Sequence, residues 1–287
     1  MSERSTVKIV SSGEKLDAWF YVPDKGGPHR AIVMAHGLGG IMSAGLEPFA
    51  KKFSDAGFAV LVFDYRGFGA STGEPRQFVS VRKQLQDYRA AIDYLMQQSF
   101  IDSSRIGLWG SSFSGGHVLS LSASDPRIKA VVSQVPNVDT FSSTNSIRPR
   151  SQVFKLAMLG LKDIFTKREY VPVVGEPGTL AMLTSKGALE GYNSIASKEW
   201  SPMLRASSGL GLTLYRPIVS VKKIQVPVMY VIAEQDSEAP AKYAFKAAKK
   251  TKNKEVYSYS GGHFDVYVPP VFSEIITKEI EFFDKNI

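Results

Sequence analysis

The chain of 287 residues contains no cysteine. That absence excludes disulfides, thiolate nucleophiles and cysteine-based metal sites, so any covalent catalysis must use another nucleophile. No run approaches the roughly 18 to 20 apolar residues that cross a bilayer, and the start MSERSTVKIVSSGEKLDAWFYVPD lacks the basic-then-apolar layout of a secretory signal. A cytoplasmic protein without stable membrane insertion is expected. Histidine is scarce, with only His29, His36, His117 and His263 available as bases. Internal repeats and low-complexity linkers are absent too, which argues against solenoids and tethered modules.

What remains is an ordinary globular composition, 44% hydrophobic and 22% charged, so a substantial core is expected. The formal charge is +8, and its densest run is KAAKKTKNK at Lys246 to Lys254. Without aromatic interleaving this run reads as the solvated face and end of a helix, and no nucleic-acid partner is expected.

Short apolar runs alternate with helical segments, the pattern of a mainly parallel sheet covered on both faces. The strand candidates are VKIV, LDAWFYV, AIVMAH, AVLVFDY, RIGLWG, AVVSQV, VPVMYVIA and EVYSYS, the first two forming a hairpin across SSGEK. In VSVRKQLQDYRAAIDYLMQQ, residues Val81, Leu85, Tyr88, Ile92 and Leu95 share a helical stripe. VFSEIITKEIEFFDKN closes the chain as a helix. Between Asp139 and about Val226 the rhythm breaks, and the interval is too long for a simple connection. We read residues 1–139 and 226–287 as two parts of one core and 140–225 as a cap insertion over a pocket. Within it QVFKLAMLGLKDIF carries Val153, Leu156, Ala157, Gly160, Leu161, Ile164 and Phe165 at helical spacing. A membrane-contacting helix is the competing reading.

RIGLWGSSFSGGH places three serines in a strand-to-helix turn. A nucleophile elbow requires small residues two before and two or three after its nucleophile. Centred on Ser112 these are Gly110, Ser114, Gly115 and Gly116; the departure from G-x-S-x-G is Ser114. Centring on Ser114 lacks the upstream glycine, and Ser111 would need a small residue where Trp109 stands. The order of preference is Ser112, Ser114, Ser111, against a plain Ser/Gly turn.

HGLGG after a strand, DYRGFGASTG at Asp64 to Gly73, GSSFSGG at the elbow, AEQD after a late strand and GGHF near the end occur in this order. With these motifs the chain resembles the α/β-hydrolase superfamily along nearly its whole length, closest to bacterial hydrolases of the Xaa-Pro peptidase and dienelactone hydrolase branches and to polyketide-associated hydrolases. The resemblance implies an α/β-hydrolase fold, a mostly parallel eight-stranded sheet with helices on both faces and a helical cap. It also implies Ser112, Asp236 and His263 as triad and a structural role for Asp64 and Arg66. In the superfamily's order of serine, acid, histidine, His263 is the base downstream of an acid. Asp236 is the preferred acid, Asp139 the runner-up, Glu234 a structural partner, and Asp265 is badly placed. The oxyanion donors would be the backbone N–H groups of Phe113 and Leu38; His36 and His117 read as structural.

The expected activity is that of a serine hydrolase on a carboxylic ester or thioester, with a small-molecule acyl substrate and no metal or cofactor. Aminopeptidase-like activity, acyl transfer, or a non-catalytic ligand-binding scaffold are the alternatives. Phe154, Leu161 and Phe165 beside Lys155, Lys162, Lys167 and Arg168 suggest an apolar acyl group with a polar or anionic end. Oligomeric state is not readable from the sequence.

Overall fold

The structure, a computed structural model, describes residues 3–24 and 26–287. Its strands are β1 (Glu3–Ser11), β2 (Glu14–Val22), β3 (His29–Ala35), β4 (Ala59–Phe63), β5 (Ile101–Ser111), β6 (Ile128–Gln134), β7 (Tyr170–Pro172), β8 (Met203–Arg205), β9 (Val228–Ala233) and β10 (Lys254–Tyr259). The helices are α1 (Glu47–Asp55), α2 (Val81–Met96), α3 (Phe113–Ser122), α4 (Thr140–Ile147), α5 (Arg150–Thr166), α6 (Ala188–Ile195), α7 (Ser208–Leu212), α8 (Ala241–Lys250) and α9 (Val271–Asn286).

Eight strands form one sheet in the order β1-β2-β4-β3-β5-β6-β9-β10. β2 runs antiparallel to β1 and β4, and every other pairing in that sheet is parallel. The β1–β2 turn is Ser12-Gly13, both residues with positive φ, the two-residue loop whose twist matches a hairpin. Each expected strand is present, because each is an apolar run bounded by polar or glycine-containing turns.

Alternation along the strands builds two cores. In β4, Ala59, Leu61 and Phe63 face one side with α2, α3 and α8, while Val60 and Val62 face the other with α1 and α9. Phe49 and Phe53 of α1 and Phe283 of α9 are fully buried there; truncating such a ring costs about 3–5 kcal/mol. On α2 the buried face holds Tyr88, Ile92 and Leu95 as expected, and also Gln84 and Asp87. Asp87 is satisfied by Arg66 Nε at 2.8 Å and Ser11 Oγ at 2.7 Å, which ties the DYRGFGAS turn to the helix.

Between β6 and β9, residues 140–225 carry α4 to α7, the two-stranded β7–β8 pair and two short 3-10 turns. They share the core of the α2 face through Val173, Tyr192, Leu204 and Ile218. α5 is present, but only part of its apolar stripe turns inward. Only Gly160 and Asp163 are buried, and Phe154 and Phe165 are 66% and 84% exposed. The helix docks through the Arg205 guanidinium on Asp163 at 2.6 Å, and a Cβ at Gly160 would lie 3.0 Å from the Ala206 carbonyl. A polar anchor and a small residue thus set its rotation. Among the described residues no helix is long and apolar enough to cross a membrane.

Candidate active site

The parallel strands end on one side of the sheet, where a crevice outside their carboxyl ends collects loops from several elements. Leu38 follows β3, Ser112 follows β5, Asp236 follows β9 and His263 follows β10. At Ser112 the chain turns from strand to helix with φ 60° and ψ −118°, a left-handed backbone that a non-glycine residue adopts only under constraint. The turn is held by its own backbone: Ser112 N–H donates to Gln134 O at 2.8 Å, and Ser112 O accepts from Asn137 N at 3.0 Å. It is tight enough that a Cβ on Gly110 would lie 2.4 Å from the Ser114 carbonyl oxygen.

The neighbouring serines are committed elsewhere. Ser114 is buried and its Oγ lies 3.1 Å from Tyr65 Oη and 2.8 Å from Tyr88 Oη. Ser111 Oγ accepts from Gln134 Nε2 at 3.0 Å and lies 2.6 Å from Tyr267 Oη. Ser112 Oγ instead lies 2.9 Å from His263 Nε2, and His263 Nδ1 lies 2.7 Å from Asp236 Oδ2. With the proton on Nδ1 donated to Asp236, Nε2 is free to accept from the serine hydroxyl. The other oxygen of Asp236 accepts from the N–H groups of Glu238 and Ala239 at 2.8 and 2.7 Å, which fixes the carboxylate. Burial of His263 opposes its protonation, but the charge and hydrogen bond of Asp236, with a smaller share from Glu238, outweigh it. The imidazole pKa therefore stands above its ordinary 6.5.

Phe113 opens α3, where first-turn N–H groups have no partner within the helix and the dipole favours negative charge. The loop carrying Leu38 abuts the serine, for a Cβ on Gly37 would lie 3.0 Å from Ser112 Cβ. That loop is held by two residues the sequence reading did not single out. Tyr192 Oη donates to Leu38 O at 2.9 Å, and Trp200 Nε1 donates to Gly39 O at 2.8 Å. Their rings stack with centroids 4.7 Å apart. Both come from residues 140–225, more than 150 positions along the chain from the loop.

The other candidates lie outside this constellation. Asp139 caps α4 through Ser142 N–H at 3.1 Å and is bridged by Arg216. Glu234 accepts from Ser258 Oγ at 2.8 Å, and Asp265 from Gly262 N–H at 2.8 Å. His117 is buried between Tyr215 Oη and Gln84 Oε1, and His36 packs on Tyr65 with Nδ1 2.9 Å from Gly37 O. Burial pushes these two imidazoles down, to about 3 and about 4, so both are neutral. His29 begins β3, at the opposite end of the sheet.

A small crevice beside Ser112 and His263 adjoins an apolar cavity of about 320 Å³, and both are lined by Leu38 and Leu183. The cavity wall from α5 is Val153, Leu156 and Ala157. This corrects the expectation that Phe154, Leu161 and Phe165 set the pocket's character, since those side chains are exposed on the outer face of α5. Glu238, also unremarked in the sequence, lines the same cavity. Among the described residues no three His, Cys, Asp or Glu side chains cluster in a way that could hold a metal ion.

Known proteins match this chain throughout. The quorum-quenching protein AidA of Acinetobacter baumannii (strain MDR-ZJ06) is 37% identical over 98% of this chain and 94% of its own. The thiohydrolase aneE of Aspergillus aculeatus is 28% identical over 96% of this chain and 90% of its own. In structure, the α/β hydrolase GrgF from Penicillium sp. sh18 shares the fold at a TM-score of 0.81, with 24% identity, covering 99% of this chain and 98% of that one. Residues 26–267 match the hydrolase family described as serine aminopeptidase, S33. With that match, the eight-stranded sheet and the crevice at its carboxyl edge, the chain belongs to this S33 family of α/β-hydrolases.

Proposed function

We propose that the protein is a serine hydrolase cleaving a carboxylic ester or thioester, with the acyl chain in the 320 Å³ cavity and residues 140–225 acting as its cap. The observation that carries this reading is the continuous chain Ser112 Oγ, His263, Asp236 beside that cavity. His263 Nε2 takes the serine proton as Oγ attacks the acyl carbon, and Asp236 stabilises the imidazolium. The tetrahedral oxyanion faces the N–H groups of Phe113, at the start of α3, and of Leu38, in the loop after β3. His263 then protonates the departing alcohol or thiol. Water, deprotonated by His263, attacks the acyl-enzyme; the acid leaves and Ser112 regains its proton.

The names of two relatives order the substrate panel. A thiohydrolase relative puts thioesters first, and a quorum-quenching relative adds quorum signals containing an ester or lactone bond. Aminoacyl amides form the peptidase arm, and added alcohol acceptors separate acyl transfer from hydrolysis. The decisive experiment is labelling with a fluorophosphonate and peptide mapping. Label is expected on Ser112 in wild type and in Ser114→Ala, and none in Ser112→Ala. A folded wild-type protein that takes no label at Ser112 sinks the proposal.

A further inference from the structure

On α5, Phe154, Met158, Leu161 and Phe165 follow one another at steps of four, three and four residues, and all are exposed. At about 100° of rotation per residue they form one stripe, roughly a third of a turn from Val153, Leu156 and Ala157, which face the cavity. One face of the helix closes the cavity and the adjoining face is turned to solvent. The cavity mouth is apolar as well, for Phe141, Ile147 and Leu214 line it and are each more than a third exposed. Exposed apolar groups thus come from α4, α5 and the chain after α7, a patch broader than one helix ridge.

The charges around this patch have one sign. Arg150 flanks the stripe on one side, Lys155 and Lys162 flank it on the other, and Lys167 and Arg168 follow at its end, all of them exposed. Lys162 is bridged by Glu169 at 2.8 Å. From position 140 to 168 the only acidic residue is Asp163, which is buried and held by Arg205. A second copy of this chain is a poor occupant. Antiparallel pairing of two stripes sets Lys155 and Lys162 beside their own counterparts, and parallel pairing sets Arg150 beside Lys155. Either way like charges meet, on a molecule that already carries +8. A groove in an acidic protein receives one ridge, whereas this patch projects from several elements. The surface of an anionic bilayer suits both features: its acyl boundary takes up projections from separate elements, and flanking cations reach the headgroups. We propose that this face docks the protein on an anionic membrane surface, with α5 lying in the interface plane and the cavity mouth toward the lipid. Among the described residues no helix is long and apolar enough to span, so the contact is interfacial. The inference does not depend on the chemistry assigned to Ser112.

The test is co-sedimentation of the full chain with vesicles of phosphatidylcholine alone and of equal parts phosphatidylcholine and phosphatidylglycerol, beside sedimentation velocity without lipid. Wild type is expected to be monomeric and to bind the phosphatidylglycerol vesicles at least about tenfold more strongly than the neutral ones, a difference that shrinks as salt rises. Phe154→Ser with Phe165→Ser removes two exposed rings and should lower that binding at least about tenfold, with little change in the melting curve. Arg150→Glu with Lys155→Glu should lower it as much. Lys249→Glu with Lys250→Glu on α8 changes the net charge equally at another place, and should lower it no more than about threefold. Binding that the α8 pair abolishes as fully as the α5 pair is attraction by net charge alone and overturns the proposal. Binding that survives the loss of both rings overturns it too, by placing the contact elsewhere. A monomeric wild type that binds neither vesicle removes the membrane in favour of an acidic protein surface. A wild-type dimer that dissociates when Phe154 and Phe165 are replaced assigns the face to a second copy, and equally overturns the proposal.

Discussion

At Ser112 the positive φ holds strain of order 1–3 kcal/mol inside a turn whose donors and acceptors come from the ends of β5 and β6. That geometry lifts one hydroxyl out of a row of three toward His263. Ser112→Ala is expected to lower ester turnover by about four orders of magnitude or more while leaving the thermal midpoint unchanged or raised; rates and a melting curve check both. For Asp236→Asn the sign follows from His263. In the proposed mechanism the neutral imidazole is the base, so the acid limb of kcat/KM in wild type is expected above 6.5, the direction in which Asp236 shifts the pKa. The variant should move that limb to lower pH and depress the plateau by about 10⁴; a pH–rate profile that keeps its position contradicts the assigned roles. Ser112 and His263 were legible because glycines and strand ends mark them within a few residues. Glu238, which lines the apolar cavity, was not, since no local pattern marks a residue as part of a cavity wall.

The elements divide in the same way. Eight strands and the helices α2 and α9, though not α1, could be read because burial on a sheet imposes a period on neighbouring residues. The rotation of α5 could not, because Asp163, Gly160 and their partners near Arg205 lie about 40 positions apart. Its outward face, with Phe154, Met158, Leu161 and Phe165, contributes no core contact that a polar residue would break. Phe154→Ser with Phe165→Ser should therefore change stability by no more than about 0.5 kcal/mol per site, checked by chemical denaturation. The loop that bears Leu38 gives the opposite expectation. Tyr192→Phe removes one donor to Leu38 O, and at about 1 kcal/mol for the lost bond kcat should fall about fivefold to tenfold with KM little changed. A rise in KM at constant kcat would place Tyr192 on the substrate and off the loop.

Over the whole molecule, stability carries a pH dependence unrelated to the crevice. Glu279 on α9 is completely buried beneath Trp109, whose Nε1 donates to it at 3.0 Å, and burial pushes its pKa from 4.5 up to about 8. Below pH 4.5 folded and unfolded chains both hold the proton. As pH rises from there to about 8 the unfolded chain releases it and the folded chain does not, so the folded state loses stability across that window. Glu279→Gln keeps an acceptor for Trp109 and removes the ionisation. Its thermal midpoint relative to wild type should rise progressively between about pH 5 and pH 8; a constant offset across that range would contradict the burial argument.

The bonds from Tyr192 and Trp200 to the loop after β3 also bear on how this scaffold can be altered. Residues 140–225 supply most of the cavity wall and at the same time brace the backbone beside Ser112, so in the proposed hydrolase selectivity and turnover would share one mechanical part. Replacing that insert with one from another hydrolase would reshape the chamber and release the brace in a single step. Chimeras of this kind should recover their speed only when an aromatic pair is rebuilt over Leu38 and Gly39, which makes the scaffold less modular than its separate sheet and insert suggest.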